Sequence, residues 1–214
     1  MGQPVVTWPN FFSILRILIL PGIAYGLARQ DQTGMVVCVV LFIVAAISDG
    51  LDGYLARRLN QVSPLGIALD PIADKIFAGV IVILLILYRD LPIWLAAVIV
   101  GRDLVILGAA AILLRGRTVS LPSNLIGKYA FTAIAFLLGS YVIRFQFGIW
   151  LFTVLTLVMI ALSLVAYAGV FKEIRAGRTP QPLREPGWMR VLRLVASAVV
   201  LGYFFLRLYL DVLR

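Results

Sequence analysis

Six long apolar runs separated by short polar turns leave this chain few ways to fold. They lie at Phe11–Leu27, Met35–Leu55, Leu65–Tyr88, Pro92–Leu114, Asn124–Ile143 and Ile149–Phe171. Each is close to the ~20 residues a helix needs to cross the hydrocarbon of a bilayer. In that solvent every backbone N–H and C=O must be satisfied internally, so only helices and closed barrels span it. No segment alternates polar and apolar residues as a barrel strand would. The expected fold is therefore all-α, a polytopic membrane bundle of six core helices. A mean hydropathy of +1.03 with 62% hydrophobic residues sets the chain apart from soluble domains.

A seventh hydrophobic segment, Val191–Leu210, is interrupted by Arg193 and Arg207. It can span, or lie along the interface with its arginines snorkelling. Because Val195–Leu206 carries no charge and both arginines sit near an end, an extra C-terminal hydrophobic helix is expected to span. The preceding stretch carries Pro180, Pro182 and Pro186 and reads as an irregular linker. The chain thus divides into a membrane domain (1–171), a linker (172–190) and a C-terminal helix (191–214). Pro21 should kink the first span by removing a backbone donor. Met1–Asn10 is too short and too neutral for a transit peptide, so the first span is expected to be retained.

Basic residues set the expected orientation. With the N-terminus inside, the inner loops hold Arg57, Arg58, Arg115, Arg117, Lys172, Arg175, Arg178, Arg184 and Arg190, and the outer loops only Arg29, Arg89 and Arg144. The expected location is the cell membrane, multi-pass, with a cytoplasmic N-terminus. These loops account for the net charge of +9 and suit an anionic leaflet. No basic soluble module with interleaved aromatics is present, so nucleic acid is not an expected partner. The single cysteine, Cys38, lies inside an apolar span and forms no disulfide framework.

Against this background the stretch from Asp49 to Asp74 stands out. It contains four of the ten acidic residues in the chain, Asp49, Asp52, Asp70 and Asp74. Intramembrane charges are costly and persist where they face a cavity, an ion or a substrate. Asp49 and Asp52 are i and i+3 on a helix, and Gly66, Asp70 and Asp74 are spaced by four, so each set shares a face. The turn Asn60–Pro64 makes the two helices antiparallel neighbours whose acidic faces can converge. The chain has no histidine, and carboxylates alone suit a hard, oxygen-preferring cation, Mg²⁺, Mn²⁺ or Ca²⁺. Without such cations the clustered charges would repel strongly. Gly53 and Gly66 leave room for a group to approach the backbone, Ala56 lies on the side of Asp52, and Arg57 can reach a phosphate near the metals. Dication, arginine and glycine-lined space together describe a pyrophosphate site, and the active site falls at the cytoplasmic end of the second and third spans.

The spacing Asp49-x2-Asp52-Gly53-x2-Ala56-Arg57-x8-Gly66-x3-Asp70-x3-Asp74 resembles, position for position, the signature of the CDP-alcohol phosphotransferases. Pro9-Asn10-x2-Ser13-x2-Arg16, ending at Pro21, is similar to the N-terminal helix of the family's phosphatidyltransferase branch, and Asp70-Pro71-x-Ala73-Asp74-Lys75 looks like its bacterial phosphatidylglycerophosphate and cardiolipin synthases. The resemblance covers about Trp8 to Phe171. It implies that Asp49, Asp52 and Asp70 hold two divalent metals, Mg²⁺ or Mn²⁺, on the pyrophosphate of CDP-diacylglycerol. Asp74 would complete the metal site and serve as general base on an acceptor hydroxyl. Gly53, Ala56 and Gly66 would border the cytidine, with Arg57 near the diphosphate. The resemblance also implies a homodimer.

Basic residues near the site are candidates for gripping an acceptor phosphate: Lys75, Arg102, Arg115 and Lys128. Arg102 and Asp103 interrupt the fourth span well inside it, where an unpaired charge is costly; the plainer reading of Arg102 is an internal ion pair with a carboxylate of the cluster, and of Asp103 a structural partner to Lys75 or Lys128. Arg115 and Arg117 also suit a positive-inside anchor. Arg102-Asp103 looks closer to the cardiolipin synthases, which would take phosphatidylglycerol, whereas a small phosphorylated alcohol would use Arg102 and Lys128 well. Glycerol 3-phosphate is the preferred acceptor, with phosphatidylglycerol or another such as inositol phosphate as the alternative. An aromatic prenyltransferase would carry its two aspartate motifs far apart in sequence. A cation transporter would spread carboxylates over several spans and show inverted repeats. Neither pattern is present.

Overall fold

The spans expected from hydropathy are helices in the computed structural model, which describes residues 14–59, 64–113 and 125–176 and ten positions between 187 and 210. Residues 14–18 are helical, and six helices follow: α1 Leu20–Arg29, α2 Gln32–Leu59, α3 Pro64–Arg89, α4 Ile93–Leu113, α5 Leu125–Val142 and α6 Gln146–Arg175. Side chains of Ala46, 49–72 and Leu113 are not among those described. Every described element is a helix, and α4, α5 and α6 are long and apolar enough to cross a membrane. This is an all-α membrane protein. The turns expected at Asn60–Pro64 and Ser120–Asn124, the bulk of the proline-rich linker, Arg115 and Arg117 fall wholly or mostly outside the described residues.

Helix breaks follow local chemistry. The helix is interrupted by a turn at Ile19, two residues before Pro21, where the ring removes the donor that would meet the Ile17 carbonyl. The chain stays helix-like through the turn, because Ile19 N–H donates to Leu15 (3.0 Å) and Ile23 N–H to Ile19 (3.0 Å). Asp31 caps α2 by accepting the Gly34 N–H on Oδ1 at 2.7 Å. Pro64 opens α3 at a position where no backbone donor is needed. Gln30, Asp90 and Arg144 follow α1, α3 and α5, each with φ near +55° (53°, 56° and 55°), so three tight turns are made without glycine.

Two compact units partition the chain: residues 1–96 with 141–144, and residues 97–140 with 145–214. In the first, α1 packs on α2 and α3 around Ile23, Leu27, Cys38, Ile81 and Leu85, all at most 1% exposed. The α1–α2 approach depends on glycine. A Cβ on Gly26 would lie 2.7 Å from the Gly34 carbonyl oxygen and 2.8 Å from Cys38 Sγ, and one on Gly34 would press still closer to the Gly26 oxygen. Phe42 and Phe77 meet edge to face between α2 and α3.

Arg89, read from sequence as an outer-loop residue, closes α3 and is only 7% exposed. Its guanidinium donates to the carbonyls of Leu27 (3.2 Å), Tyr88 (3.0 Å) and Val142 (3.3 Å). Each carbonyl lies in the last turn of a helix, where four acceptors lack intrahelical donors. One cation therefore caps the negative ends of α1, α3 and α5.

In the second unit α6 buries one stripe, Gly148, Phe152, Thr156, Ile160 and Ser163, and α5 buries Ala130, Ala133, Leu137 and Ser140. Phe136 stacks on Phe152 at 5.3 Å. The remaining faces are apolar yet exposed, Trp150, Val158 and Val165 among them, as expected of helices solvated by lipid. All described positions of the C-terminal segment are helical, and Val191, Val195, Val199, Tyr203 and Leu206 form an exposed apolar face at helical spacing. Tyr203 meets the Phe145 ring at 5.2 Å.

Candidate active site

The four aspartates lie on the two helices flanking residues 60–63. Asp49, Asp52, Gly53, Ala56 and Arg57 belong to the last turns of α2, and Gly66, Asp70 and Asp74 to the first half of α3. At 28 residues α2 is about 42 Å long, against a hydrocarbon thickness of about 30 Å. It is long enough to carry its acidic end beyond the hydrocarbon. Among the described residues no three metal-ligating side chains cluster, and the side chains of Asp49, Asp52, Gly53, Ala56, Arg57, Gly66 and Asp70 fall outside that set. The donor chemistry still fits a hard dication: four carboxylate positions on two helices that follow one another, in a chain without histidine.

Asp74 is the aspartate whose surroundings are described. Its carboxylate accepts a hydrogen bond from the Arg16 guanidinium on Oδ1, an ion pair linking positions 58 residues apart. The exposures of the two side chains differ sharply, 5% for Arg16 and 50% for Asp74. The buried cation thus meets its anion at the edge of a surface the anion shares with solvent. Spacing alone does not assign Arg16 to the site, although it lies in the motif before Pro21. The signal that flags Arg102, a charge inside an apolar span, applies equally to Arg16. Lys75, the next residue on α3, is exposed.

Arg102 on α4 builds a second polar cluster, within the second unit. Its side chain is 12% exposed; Nη1 donates to Asp103 Oδ1 at 2.6 Å and Nη2 to Ser163 Oγ on α6 at 2.8 Å. The Tyr167 ring, one turn beyond Ser163, lies under the guanidinium at 6.0 Å. Gly127, early in α5, completes the wall: a Cβ there would come to 3.3 Å from both Arg102 Nη2 and the Tyr167 hydroxyl. An internal ion pair of Arg102 is thus present, with its own sequence neighbour Asp103, while the side chains of Asp49, Asp52 and Asp70 lie outside the described residues. Arg102 Nε is buried with no hydrogen-bond acceptor among the described residues. Lys128, in the same first turn of α5, is exposed. Ser163 and Tyr167 escape sequence reasoning because a neutral polar residue in an apolar helix carries no charge to mark it.

Residues 6–172 match the family described as CDP-alcohol phosphatidyltransferase, and the chain belongs to that family. It is 40% identical over 103 residues to a CDP-diacylglycerol–glycerol-3-phosphate 3-phosphatidyltransferase of Pseudomonas fluorescens, covering 46% of this chain and 51% of that one. It is 40% identical over 122 residues to a probable CMP-forming cardiolipin synthase of Drosophila melanogaster, covering 56% of this chain and 36% of the other. A putative cardiolipin synthase of Mycobacterium bovis is 32% identical over 126 residues, 59% of each chain. The matched segments span between about a third and three fifths of these relatives. The family is in general metal-dependent.

Proposed function

We propose that this protein transfers a phosphatidyl group from CDP-diacylglycerol to the hydroxyl of glycerol 3-phosphate, releasing CMP and forming phosphatidylglycerophosphate. The observation that carries the reading is the aspartate spacing, two on the end of α2 and two on the start of α3, in a chain of this family. Asp49, Asp52, Asp70 and Asp74 would hold two divalent ions, Mg²⁺ or Mn²⁺. When bound, these supply charge stabilisation for the attacking and leaving oxygens of an in-line displacement. Arg57 steadies the diphosphate, and Gly53, Ala56 and Gly66 give the cytidine room. Asp74 takes the proton from the acceptor hydroxyl. The hydroxyl oxygen then bonds to the lipid-bearing phosphorus while the phosphorus–oxygen bond to CMP breaks. No covalent enzyme intermediate is required.

The Arg102 cluster supports an anionic acceptor. Its guanidinium is held by Asp103, Ser163 and Tyr167 while Nε keeps an unused donor among the described residues, and Lys128, Lys75 and Arg115 would add charge. A second reading is favoured by two of the relatives, named as cardiolipin synthases: phosphatidylglycerol as acceptor, giving cardiolipin. The enzyme would lie in the cell membrane as a homodimer, with its N-terminus and active site cytoplasmic, as the basic inner loops favour. In the order 1–171, 172–190 and 191–214, the catalytic domain would precede a linker and a hydrophobic helix.

The test is CMP release by purified protein in detergent with CDP-diacylglycerol, Mg²⁺ or Mn²⁺, and one acceptor at a time. Metal-dependent release with glycerol 3-phosphate alone is expected. Release with phosphatidylglycerol alone establishes the second reading, and release with neither overturns both.

A further inference from the structure

The Arg16–Asp74 pair is more than a tie between helices. We propose that Arg16 is a positioning residue for the transfer, its buried guanidinium fixing the orientation of the Asp74 carboxylate. The proposal rests on the reading of Asp74 as general base. A carboxylate whose side chain is half exposed has several rotamers open to it, and a base must stand within hydrogen-bond reach of the hydroxyl it deprotonates. Arg16 removes that freedom by binding Oδ1, while half of the side chain stays accessible.

The guanidinium is itself held rigidly. Residues 14–18 continue through the Ile19 turn into α1 by two 3.0 Å backbone hydrogen bonds. Helix α1 is then locked to α2 where Gly26 and Gly34 admit no Cβ, and its end is capped by Arg89. A buried cation on such an element cannot follow a wandering carboxylate; the carboxylate must come to it. Sites held in this way, by a supporting group on a rigid element, keep reacting atoms within tolerances that govern rate. Asp74 itself, half exposed, can be hydrated once Arg16 is removed, so this carboxylate is not left as a buried unpaired charge.

The experiment compares Arg16→Gln, Arg16→Lys, Asp74→Asn and the Arg16→Gln/Asp74→Asn double variant for CMP release at saturating donor and acceptor. Thermal midpoint and CDP-diacylglycerol binding are measured alongside. Arg16→Gln should lower kcat by about 10²-fold, the scale of a misplaced catalytic group, with both KM values and donor binding within about threefold of wild type. Arg16→Lys, which keeps the charge, should recover part of the loss. In the double variant Arg16→Gln should cost nothing beyond Asp74→Asn, as for residues that act as a unit. A wild-type kcat in Arg16→Gln, or a further loss on the Asp74→Asn background, overturns the proposal. Should the glutamine variant lose its thermal transition, Arg16→Lys decides: a kcat reduced with unchanged KM supports positioning, and a wild-type kcat refutes it. Turnover retained by Asp74→Asn removes the base and the proposal with it. An inert Asp74→Asn beside a fully active Arg16→Gln removes the proposal alone.

Discussion

Ser163 on α6 accepts a hydrogen bond from Arg102 on α4 at 2.8 Å, so a neutral hydroxyl one helix away helps hold a nearly buried cation. On the proposed function, an acceptor anion would be gripped beside these two residues. Arg102→Ala should raise the acceptor KM about tenfold or more and leave the donor KM within about twofold, the pattern of a lost binding contact. Ser163→Ala, which loosens the guanidinium without removing it, should show a smaller rise in the same constant. Steady-state kinetics with each substrate varied in turn check this. A larger change in the donor KM would move Arg102 to the nucleotide.

Asp52 lies in the last turns of α2 beside Gly53, and the proposed function gives it a place in the metal site. Asp52→Ala should abolish metal-dependent binding of CDP, followed by calorimetry with and without Mn²⁺. Unchanged binding would contradict its part in the metal site.

Close packing of α1 on α2 gives a stability prediction with a built-in control. Gly26→Ala places a Cβ 2.7 Å from a backbone oxygen and should destabilise by about 1–3 kcal/mol, the usual cost of overpacking. A Cβ on Gly108, in α4, would meet nothing within 4 Å. Gly108→Ala should therefore be neutral or gain up to about 1 kcal/mol from helix propensity. Thermal midpoints in one detergent settle the pair, and equal shifts would refute the close approach.

Asp31 links stability to acid. The Gly34 N–H, with a smaller contribution from Arg29, holds its carboxyl below the ordinary carboxylate range. The ionised form is thus favoured in the folded protein. Its contribution is complete above the unfolded value of about 3.9 and disappears as pH falls through the lowered folded value. Asp31→Asn keeps a capping oxygen but not the charge, so its thermal midpoint should fall less steeply than wild type below about pH 4. Parallel profiles would show that the charge contributes nothing.

Much of this architecture is legible in the sequence because lipid leaves the backbone so little choice. The apolar runs predict α4 and α5 almost to the residue, since hydropathy and the spanning requirement are the same constraint. They fall short where a helix outlasts the hydrocarbon: α2 continues past Leu55 to Leu59, and α6 begins at Gln146 and runs on to Arg175. Hydropathy is silent once the helix is among headgroups. Spacing makes the aspartates readable as candidates. It cannot reveal Arg16 meeting Asp74 across 58 positions, because such a pair obeys no local period. The Gly26–Gly34 approach and the Ser163 hydroxyl are hidden for the same reason. Each takes its meaning from a neighbour that only packing supplies.

The triple cap made by Arg89 has a mechanical consequence. Asp74 lies fifteen residues up α3 from Arg89, about 22 Å at 1.5 Å per residue. The helix leading into α1 and α3 are thus tied at one end by Arg89 and at the other by the Arg16–Asp74 ion pair. Opening the pair therefore means breaking one tie or the other, and a single arginine substitution at either end would turn a brace into a hinge.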